Sequence, residues 1–372
     1  MRVLVLNAGS SSLKYAIYDL PGEREQLSGT VERIEGRGGH RAAVAKVAAT
    51  LSNQAGGKID AVGHRVVHGG EAYGDAVTVD ESVEGKIADL SALAPLHNPD
   101  HLEVIAASKQ AFPGVAHVAV FDTAFHQTIP EHAYRFPIPN DLYTSHRIRR
   151  YGFHGTSHRY VADRAAQLLG ADTFTGVTCH LGNGSSLAAI QDGESVDTSM
   201  GLTPLGGIPM GTRSGDLDPA VLIHLQVQLG YSPDQVAGLL NKESGLLGLS
   251  EVSNDLREIQ SAADAGDSKA KLAIEVLVYQ IAKGIGGFLS ILRDAKGIVF
   301  TGGIGENAAG IRAQIVGTLA GYKLGLDGRK NESTHETEEI ISTVDSALPV
   351  MVIPTREDLM IARETYRIAH CT

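Results

Sequence analysis

The sequence predicts an α/β protein made of two similar halves, and three observations support this. Short buried-type runs alternate with helical periodicities along the chain, which is typical of α/β proteins. A strand–turn–strand segment near the N-terminus recurs near the middle. Of 372 residues, 43 are glycine, about 12% where ~7% is usual. Since no collagen period or flexible linker takes up the excess, we expect these glycines at turns inside folded structure.

The order of elements follows from the hydrophobic periodicity. Apolar runs rich in β-branched residues predict strands at Val3–Leu6, Ala61–Val67, Val115–Phe121, Gly176–His180, Ile298–Thr301 and Val350–Ile353. Apolar residues recurring at three to four positions predict helices at Asp100–Phe112, Ser157–Leu169, Pro219–Leu229, Ser232–Asn241, Asp267–Arg293, Asn307–Ala320 and Arg356–Ala369. Ser232 followed by Pro233 is a typical helix start.

The internal repeat lies in two Gly/Ser-rich turns. Asn7–Asp19 resembles Leu181–Asp192, and Ser11–Leu13 aligns with Ser185–Leu187 at an offset of 185 − 11 = 174 residues. Such a short match arises by chance in turns of this composition, but a spacing of nearly half the chain favours a duplicated domain. Two such domains facing each other would form a central cleft.

Composition excludes several classes of protein. Lys and Arg number 32 against 43 Asp and Glu, a net charge of −11, so a nucleic-acid partner is not expected. The two cysteines, Cys179 and Cys371, exclude a disulfide framework and a zinc cluster, and favour a cytoplasmic location. The apolar stretch Leu272–Leu292 contains Glu275 and Lys283, so it predicts a buried helix, and no membrane partner is expected.

Two turns have the composition of phosphate-binding loops. In Asn7–Ser12 and in His180–Ser186, glycine allows close backbone approach while amides and hydroxyls can donate to phosphate oxygens. Lys14 adds positive charge to the first turn. The first turn is not a Walker A motif, and an ordinary tight hairpin is the alternative interpretation. Two such loops on two halves could hold one polyphosphate.

A third glycine-rich segment follows the predicted strand Ile298–Thr301. Gly303–Ala308 matches G-x-G-x-x-A, the dinucleotide-binding pattern. No second strand ending in an acidic residue follows, so we favour contact with the adenosine of a nucleotide. An NAD-dependent oxidoreductase stays open as an alternative of a different class.

Charged side chains in glycine-rich settings are candidates for chemistry. Arg65 and Arg213 suit bidentate recognition of carboxylate or phosphate, although either could form a surface salt bridge. Asp122 ends a predicted strand, where ligand sites of α/β proteins lie. His154 is spaced like a metal ligand, but the accompanying glutamate of a zinc motif is missing. Glu357 could bind magnesium or stabilise a helix N-terminus.

Taken together, these motifs resemble a known family. The segments LNAGSSSLK, GHRVVHGG, FDTAFH, YGFHGTSH, HLGNGSS, MGTRSGD and TGGIGEN occur in this order along the whole chain. The chain is therefore similar to the acetate and propionate kinases, within the actin/hexokinase-like phosphotransferase superfamily.

The resemblance implies a fold and a reaction. The fold would be two actin-like (ribonuclease H-like) α/β domains facing each other across a central cleft, one of residues 1–125 plus 358–372 and the other of 126–357. The reaction would be the reversible transfer of the γ-phosphoryl group of ATP to acetate, giving acetyl phosphate and ADP, with Mg²⁺, or Mn²⁺ in its place. Propionate or butyrate kinase activity is the alternative within the family. A homodimer is implied as well.

The resemblance also implies roles for the motif residues. Asn7 and Glu357 match the magnesium site. Asp122, His154 and Arg213 match the catalytic groups. Arg65 matches the residue that binds the carboxylate of the acyl substrate. The apolar pocket for the methyl group of that substrate is matched by Val67, Leu96, Phe153 and Pro204. A larger set matches the nucleotide-binding residues of the family: Ser10, Ser12, Lys14, His180, Leu181, Gly182, Asn183, Gly184, Asp255, Leu256, Arg257, Gly303, Ile304, Gly305, Glu306 and Asn307.

Overall fold

The chain divides into two units, each built around its own sheet. The computed structural model describes residues 1–9, 11–34, 36, 38–54, 58–94, 97–333 and 336–370. The N-terminal unit comprises Met1–Gln127, Phe153–Tyr160 and Arg356–Thr372. The C-terminal unit comprises Thr128–Gly152 and Val161–Thr355. Phe153–Tyr160, which we assigned to the second domain from the sequence, groups with the first unit because its backbone bonds there: the Gly155 amide donates to the Asp122 carbonyl.

The N-terminal unit has a six-stranded mixed sheet within the described residues. Its strands are β1 (Arg2–Ala8), β2 (Ser12–Asp19), β3 (Arg24–Glu32), β4 (Ala61–Val66), β5 (Val77–Thr78) and β6 (Ala116–Phe121). Their spatial order is β3-β2-β1-β4-β6-β5. β1, β4 and β6 are parallel, whereas β2, β3 and the edge strand β5 run antiparallel to their neighbours.

The sheet of the C-terminal unit repeats this topology. Its described strands are β7 (Gly176–His180), β8 (Ser186–Gln191), β9 (Glu194–Thr198), β10 (Ile298–Thr301), β11 (Glu339–Ile340) and β12 (Val350–Val352). The order β9-β8-β7-β10-β12-β11 has β7, β10 and β12 parallel and the others antiparallel. Each strand therefore has a counterpart in the other sheet, and Ser12 and Ser186, which begin β2 and β8, are 174 residues apart. The duplication predicted from the two turns is confirmed.

Helices connect the strands of both units. Those described are α1 (Gly39–Gln54), α2 (Glu81–Asp89), α3 (Asn98–Ala111), α4 (Glu131–Tyr134), α5 (Asn140–His146), α6 (Gly155–Leu168), α7 (Pro219–Val227), α8 (Pro233–Lys242), α9 (Gly245–Ser250), α10 (Leu256–Asp264), α11 (Ser268–Ile291), α12 (Gly302–Asn307), α13 (Ala309–Thr318), α14 (Gly328–Glu332) and α15 (Glu357–His370). Ser232 caps α8 and Pro233 follows it, as the sequence predicts, and Gln235 completes a capping box with Ser232.

One predicted helix differs from the structure. We expected a single helix over Asn307–Ala320, but α12 begins directly after β10 at Gly302, and a break at Ala308 separates it from α13. Gly302 has a φ of +76°, and a Cβ there would lie 2.7 Å from the Leu181 carbonyl oxygen. Glycine therefore lets the chain turn from strand to helix against the neighbouring strand end.

The long apolar helix α11 is the core helix of the C-terminal unit. By length and composition it is the one described helix that could cross a membrane. Its Ala273, Leu277, Ile281 and Ile285 are buried in one hydrophobic cluster with the β7 and β10 side chains. This is the buried amphipathic helix that the polar interruptions predict.

Candidate active site

Three polar side chains meet at the C-terminal ends of the parallel strands of the N-terminal unit. Asn7 lies near the end of β1, Arg65 near the end of β4, and Asp122 directly after β6. The strands are in register, with Leu6 beside His64 and Arg65 beside Val120. This edge of a parallel sheet is where α/β proteins bind ligands, because the strands end there together.

Arg65 and Asp122 form a forked ion pair. Arg65 Nε donates to Asp122 Oδ1 at 3.0 Å, and Nη2 donates to Oδ2 at 2.6 Å. The third nitrogen, Nη1, donates to Asn7 Oδ1 at 3.3 Å. A guanidinium has five N–H groups, so two of them, one on each terminal nitrogen, have no partner among the described residues. The fixed guanidinium can therefore still bind a second anion.

Burial and the neighbouring opposite charge shift the pKa of each member of this pair in opposite directions. The Asp122 side chain is only 1% exposed, and burial raises the pKa of its carboxyl, although the Arg65 charge and hydrogen bonds counteract part of the shift. For Arg65, burial lowers the pKa, but the Asp122 charge and hydrogen bonds outweigh it, so the pKa of Arg65 is raised. Arg65 therefore stays cationic at every physiological pH.

Oxygen ligands for a hard cation lie next to this pair. Asn7 Nδ2 donates to Asp358 Oδ1 at 3.0 Å at the start of α15, one residue after Glu357. Glu357 is close enough to raise the pKa of both Asp122 and Arg65. No group of three or more His, Cys, Asp or Glu that could hold a metal occurs within the described ranges. Magnesium at phosphoryl-transfer sites needs only one or two carboxylates besides phosphate and water, so the amide and carboxylate oxygens present here fit it.

A strained turn places His154 beside the strand ends. His154 has a φ of +57°, which non-glycine residues rarely adopt. The next residue, Gly155, donates its amide to the Asp122 carbonyl oxygen at 2.9 Å, and a Cβ at Gly155 would lie 2.3 Å from that oxygen. Sequence reasoning did not single out Gly155, although its position in the YGFHGTSH segment was a signal for close backbone approach.

The predicted apolar acyl residues of this unit are buried. Val67 is 4% exposed and Phe153 is 1% exposed, while Leu96 lies outside the described residues. The Val67 amide donates to His101 Nδ1 at 3.3 Å, and His101 Nε2 lies 3.2 Å from the Ala8 carbonyl oxygen. The neutral His101 ring therefore fixes Val67 relative to the end of β1.

The first predicted phosphate loop joins β1 to β2 as a hairpin. Lys14 is exposed on β2 directly opposite Asn7, so the two side chains lie on the same face of the sheet. The Gly9 amide donates to the Ser12 carbonyl oxygen at 2.8 Å and closes the turn. Ser10 lies outside the described residues.

A pocket of about 550 Å³ opens beside the strand ends of the C-terminal unit. This volume falls within the ordinary range of small-ligand sites. Eight predicted nucleotide residues line it: Gly182, Asn183, Asp255, Leu256, Arg257, Gly303, Ile304 and Asn307. Ala308, the last residue of the predicted G-x-G-x-x-A segment, also lines it, and so does Asn254, which the sequence reasoning missed. Asn254 adjoins the predicted Asp255, and its Nδ2 donates to Asn183 Oδ1 at 3.1 Å.

The pocket wall is built from two turns bonded to each other. The amides of Ile304 and Gly305 donate to the Leu181 carbonyl oxygen at 2.8 and 3.1 Å, and the Leu181 amide donates to Thr301. Leu181 and Gly305 are buried and so support the wall from behind. His180, Gly184 and Glu306 are also not among the described lining residues. Asp255 caps α10 by accepting from the Arg257 amide, and Arg257 hydrogen bonds lower the pKa of Asp255 to about 2.

Arg213 lies on a closed loop of the C-terminal unit. The Gly207 amide donates to Asp216 Oδ1, and the Asp216 amide donates to the Gly207 carbonyl oxygen, both at 2.7 Å. Within the loop, Arg213 Nη1 donates to the Pro204 carbonyl oxygen at 2.9 Å. Pro204, predicted as part of the acyl pocket, thus lies beside Arg213.

The duplicated sheets, the nucleotide-sized pocket after β10 and the anchored arginine near the end of β4 define a phosphotransferase of the duplicated α/β class. The model of the acetokinase family matches residues 2–363, and the chain belongs to that family. It is an enzyme of the kinase type, as the family resemblance predicts.

Curated relatives and solved structures agree with this assignment. Acetate kinase from Thermotoga sp. (strain RQ2) is 47% identical over 99% of this chain and 98% of its own. Propionate kinase from Francisella tularensis matches with a TM-score of 0.94 and 42% identity, and Porphyromonas gingivalis acetate kinase with 0.92 and 40%, each over 99% of both chains. The family assignment favours nucleotide binding at Gly303–Ala308 over the oxidoreductase alternative.

The fold is shared more widely than the sequence. A ROK hexokinase from Thermus thermophilus matches with a TM-score of 0.51 at 15% identity, over 100% of both chains. This likeness supports the actin-like duplicated architecture alone.

Proposed function

We propose that this protein transfers the γ-phosphoryl group of ATP to acetate, reversibly, giving acetyl phosphate and ADP. The observation that carries the proposal is the Arg65 guanidinium, which Asp122 and Asn7 hold in place while two of its N–H groups stay available. A small carboxylate is the ligand that such a planar fork recognises. Relatives at 45–47% identity bear the name acetate kinase.

In this proposal Arg65 orients the acyl carboxylate as the nucleophile. Acetate is already ionised at neutral pH, so no group needs to remove a proton from it. We therefore assign Asp122 an orienting role, since it fixes Arg65 by a forked pair. Buried Val67 and Phe153 would contact the methyl group.

The nucleotide binds in the pocket of the C-terminal unit in this proposal. The adenosine lies against Gly303, Ile304 and Asn307, and the phosphates lie against Gly182 and Asn183. Lys14 and Ser12 of the first turn would bind phosphate oxygens. Charge develops on the equatorial oxygens of the transferring group, and Arg213 and His154 would stabilise it.

Asn7 and Glu357 would hold the magnesium ion, or manganese in its place. When bound, the metal supplies positive charge that neutralises the phosphate oxygens. Asn7 also accepts from Arg65, so the same amide links the metal residues to the carboxylate-binding arginine.

A propionate kinase is the second candidate. The Francisella tularensis structure with a TM-score of 0.94 bears that name. One methylene in an apolar pocket changes binding by only ~1–3 kcal/mol, so we expect partial selectivity between the two acids.

The assembly we propose is a homodimer in the cytoplasm. Helix α7 is apolar on all sides, yet none of its residues is buried. Ile223 is 61% exposed and Val227 69% exposed. A helix with apolar residues on every side is normally covered by other protein. Homodimer interfaces are more apolar than non-obligate protein–protein interfaces, so α7 is the surface we propose for the dimer contact.

Trapping of acyl phosphates with hydroxylamine tests the function directly. The purified chain with ATP and Mg²⁺ should give acyl hydroxamate most efficiently from acetate, less from propionate and least from butyrate. Formation from none of the three would overturn the proposed function. A higher kcat/KM for propionate than for acetate would support the second candidate instead.

A further inference from the structure

Glu306 lies in the glycine-rich helix α12, but its side chain binds backbone. One oxygen, Oε1, accepts from the Gly302 amide at 2.8 Å, from Thr301 Oγ1 at 3.3 Å and from the Thr355 amide at 3.0 Å. The first two donors belong to the start of its own helix. The third lies 49 positions further along the chain.

Thr355 stands at a boundary of the chain. It is the last residue of the C-terminal unit, and Arg356 begins the segment that belongs to the N-terminal unit. Residues 353–356 have no helix or strand. Two bonds fix this crossover to the β10–α12 segment, one from the Ile353 amide to the Phe300 carbonyl oxygen at 3.1 Å and one from Thr355 to Glu306. Glu357, a proposed metal residue, follows two positions later.

The same short helix forms part of the nucleotide pocket. Gly303, Ile304 and Asn307 of α12 line it. The carbonyl oxygens of Gly305 and Glu306 accept from Arg312 Nη1 at 2.9 and 2.8 Å. Because Arg312 is 1% exposed, it anchors the helix firmly in the core. The Glu306 side chain therefore joins the helix that lines the pocket to the Thr355 amide.

We propose that Glu306 is a positioning residue that couples nucleotide binding at α12 to the crossover segment leading to Glu357. This rests on the proposed nucleotide site. Nucleotide binding restrains α12, the Glu306 bond restrains the Thr355 amide, and the start of α15 is held in the position that the metal site needs. The assigned role differs from direct contact with adenosine.

Hydrogen–deuterium exchange of the full chain tests the coupling without turnover. ADP with Mg²⁺ should slow amide exchange both in the peptide covering 302–308 and in the peptide covering 353–357. In Glu306→Ala, the first protection should remain while the second is lost, with exchange at 353–357 about tenfold faster, because the Thr355 donor has lost its acceptor. Glu306→Gln keeps a carbonyl oxygen at this position and should restore the coupling.

The Mg²⁺ dependence of the reaction gives a second test, because replacing a residue with only a structural role would not change it. The Mg²⁺ concentration for half-maximal acetyl phosphate formation should rise about tenfold in Glu306→Ala and return close to the wild-type value in Glu306→Gln. Persistent ADP protection at 353–357 in Glu306→Ala would overturn the coupling. Protection of 302–308 without 353–357 in the wild type would overturn the coupling alone. Protection of neither would overturn the nucleotide site and the coupling together.

Discussion

Arg65 and Asp122, 57 positions apart in the chain, are joined by a forked ion pair whose carboxylate is 1% exposed. The pair exists because β4 and β6 are parallel neighbours that end at the same edge of the sheet. It fixes the guanidinium proposed to bind the acyl carboxylate. The first two predictions concern its two members.

Replacing Arg65 by lysine should impair acetate binding specifically. Lysine keeps the charge but cannot form the fork, so the KM for acetate should rise about 10- to 100-fold while the KM for ATP stays within about twofold. Steady-state kinetics measure both. Arg363→Lys is the matched control, since Arg363 makes the same fork to exposed Glu23. An unchanged KM for acetate would contradict the role of Arg65.

Asp122→Asn should reduce turnover about 100-fold, because the uncharged amide no longer holds Arg65 in place. It should also lower the free energy of unfolding by about 2 kcal/mol, since the half-buried guanidinium of Arg65, whose side chain is 18% exposed, loses its counter-charge. Initial rates and urea unfolding measure the two effects. Asp19→Asn, which breaks the exposed pair with Arg2, is the control and should change little. Near-normal turnover of Asp122→Asn would refute the orienting role.

Gly211→Ala should weaken nucleotide binding with little loss of stability. The new Cβ would lie 1.9 Å from Asn183 Oδ1, so the Asn183 side chain must leave its place in the pocket wall. We expect the KM for ATP to rise about tenfold. Gly238→Ala, in helix α8 with open space around it, should instead stabilise the protein by about 0.5 kcal/mol. Equal ATP kinetics in both variants would contradict the nucleotide assignment.

Stability should fall as the pH falls below about 6.5. Burial, and to a smaller degree the Arg65 charge, lower the pKa of His101 to about 3, and its Nδ1 accepts from the Val67 amide, so the folded protein keeps this ring neutral. The unfolded chain takes up a proton near pH 6.5. His101 alone should therefore reduce the free energy of unfolding by about 1.4 kcal/mol per pH unit between pH 6 and 4.

Urea unfolding at several pH values measures this slope. His101→Gln should make it shallower by about the contribution of one proton, because glutamine does not titrate while buried His64 and His126, whose pKa values burial also lowers, remain. His146→Gln, at the exposed C-terminal end of helix α5, should leave it unchanged. The same slope in all three proteins would show that His101 is not responsible.

Ile223→Asp should dissociate the proposed homodimer, because a charge on the apolar helix α7 would have to be buried at the interface. Light scattering coupled to size-exclusion chromatography measures the mass directly. Val344→Asp, at a fully exposed position outside α7, is the control and should leave the mass unchanged. A monomeric wild-type protein would contradict the proposed assembly, and so would a dimer that Ile223→Asp leaves intact.

Local patterns were sufficient for most of the fold. The strand runs, the helix start at Ser232 and the buried face of α11 all depend on neighbours within a few residues, and their prediction was confirmed. The repeat at an offset of 174 residues predicted the duplicated sheets. The start of α12 directly after β10 was missed, because the tight turn at Gly302 depends on the neighbouring strand end at Leu181.

Some residues of the candidate site were predicted from the sequence, and others were missed. The glycine-rich motifs indicated segments that line the pocket proposed for the nucleotide, and eight of the predicted residues line it. Asn254 was missed because only its bond to Asn183, 71 positions away, brings it to the pocket. Glu306 was predicted to contact the nucleotide, whereas its side chain binds the Thr355 amide.

The sequence by itself determined the order of elements, the duplication, the family and the residue types available for chemistry, since these depend on composition and on short-range periodicity. The tertiary structure decided which side chains pair. Arg65 with Asp122, Asn7 with Asp358 and Glu306 with Thr355 are separated by 57, 351 and 49 positions. Such pairings depend on strand order, register and packing, which place distant residues side by side.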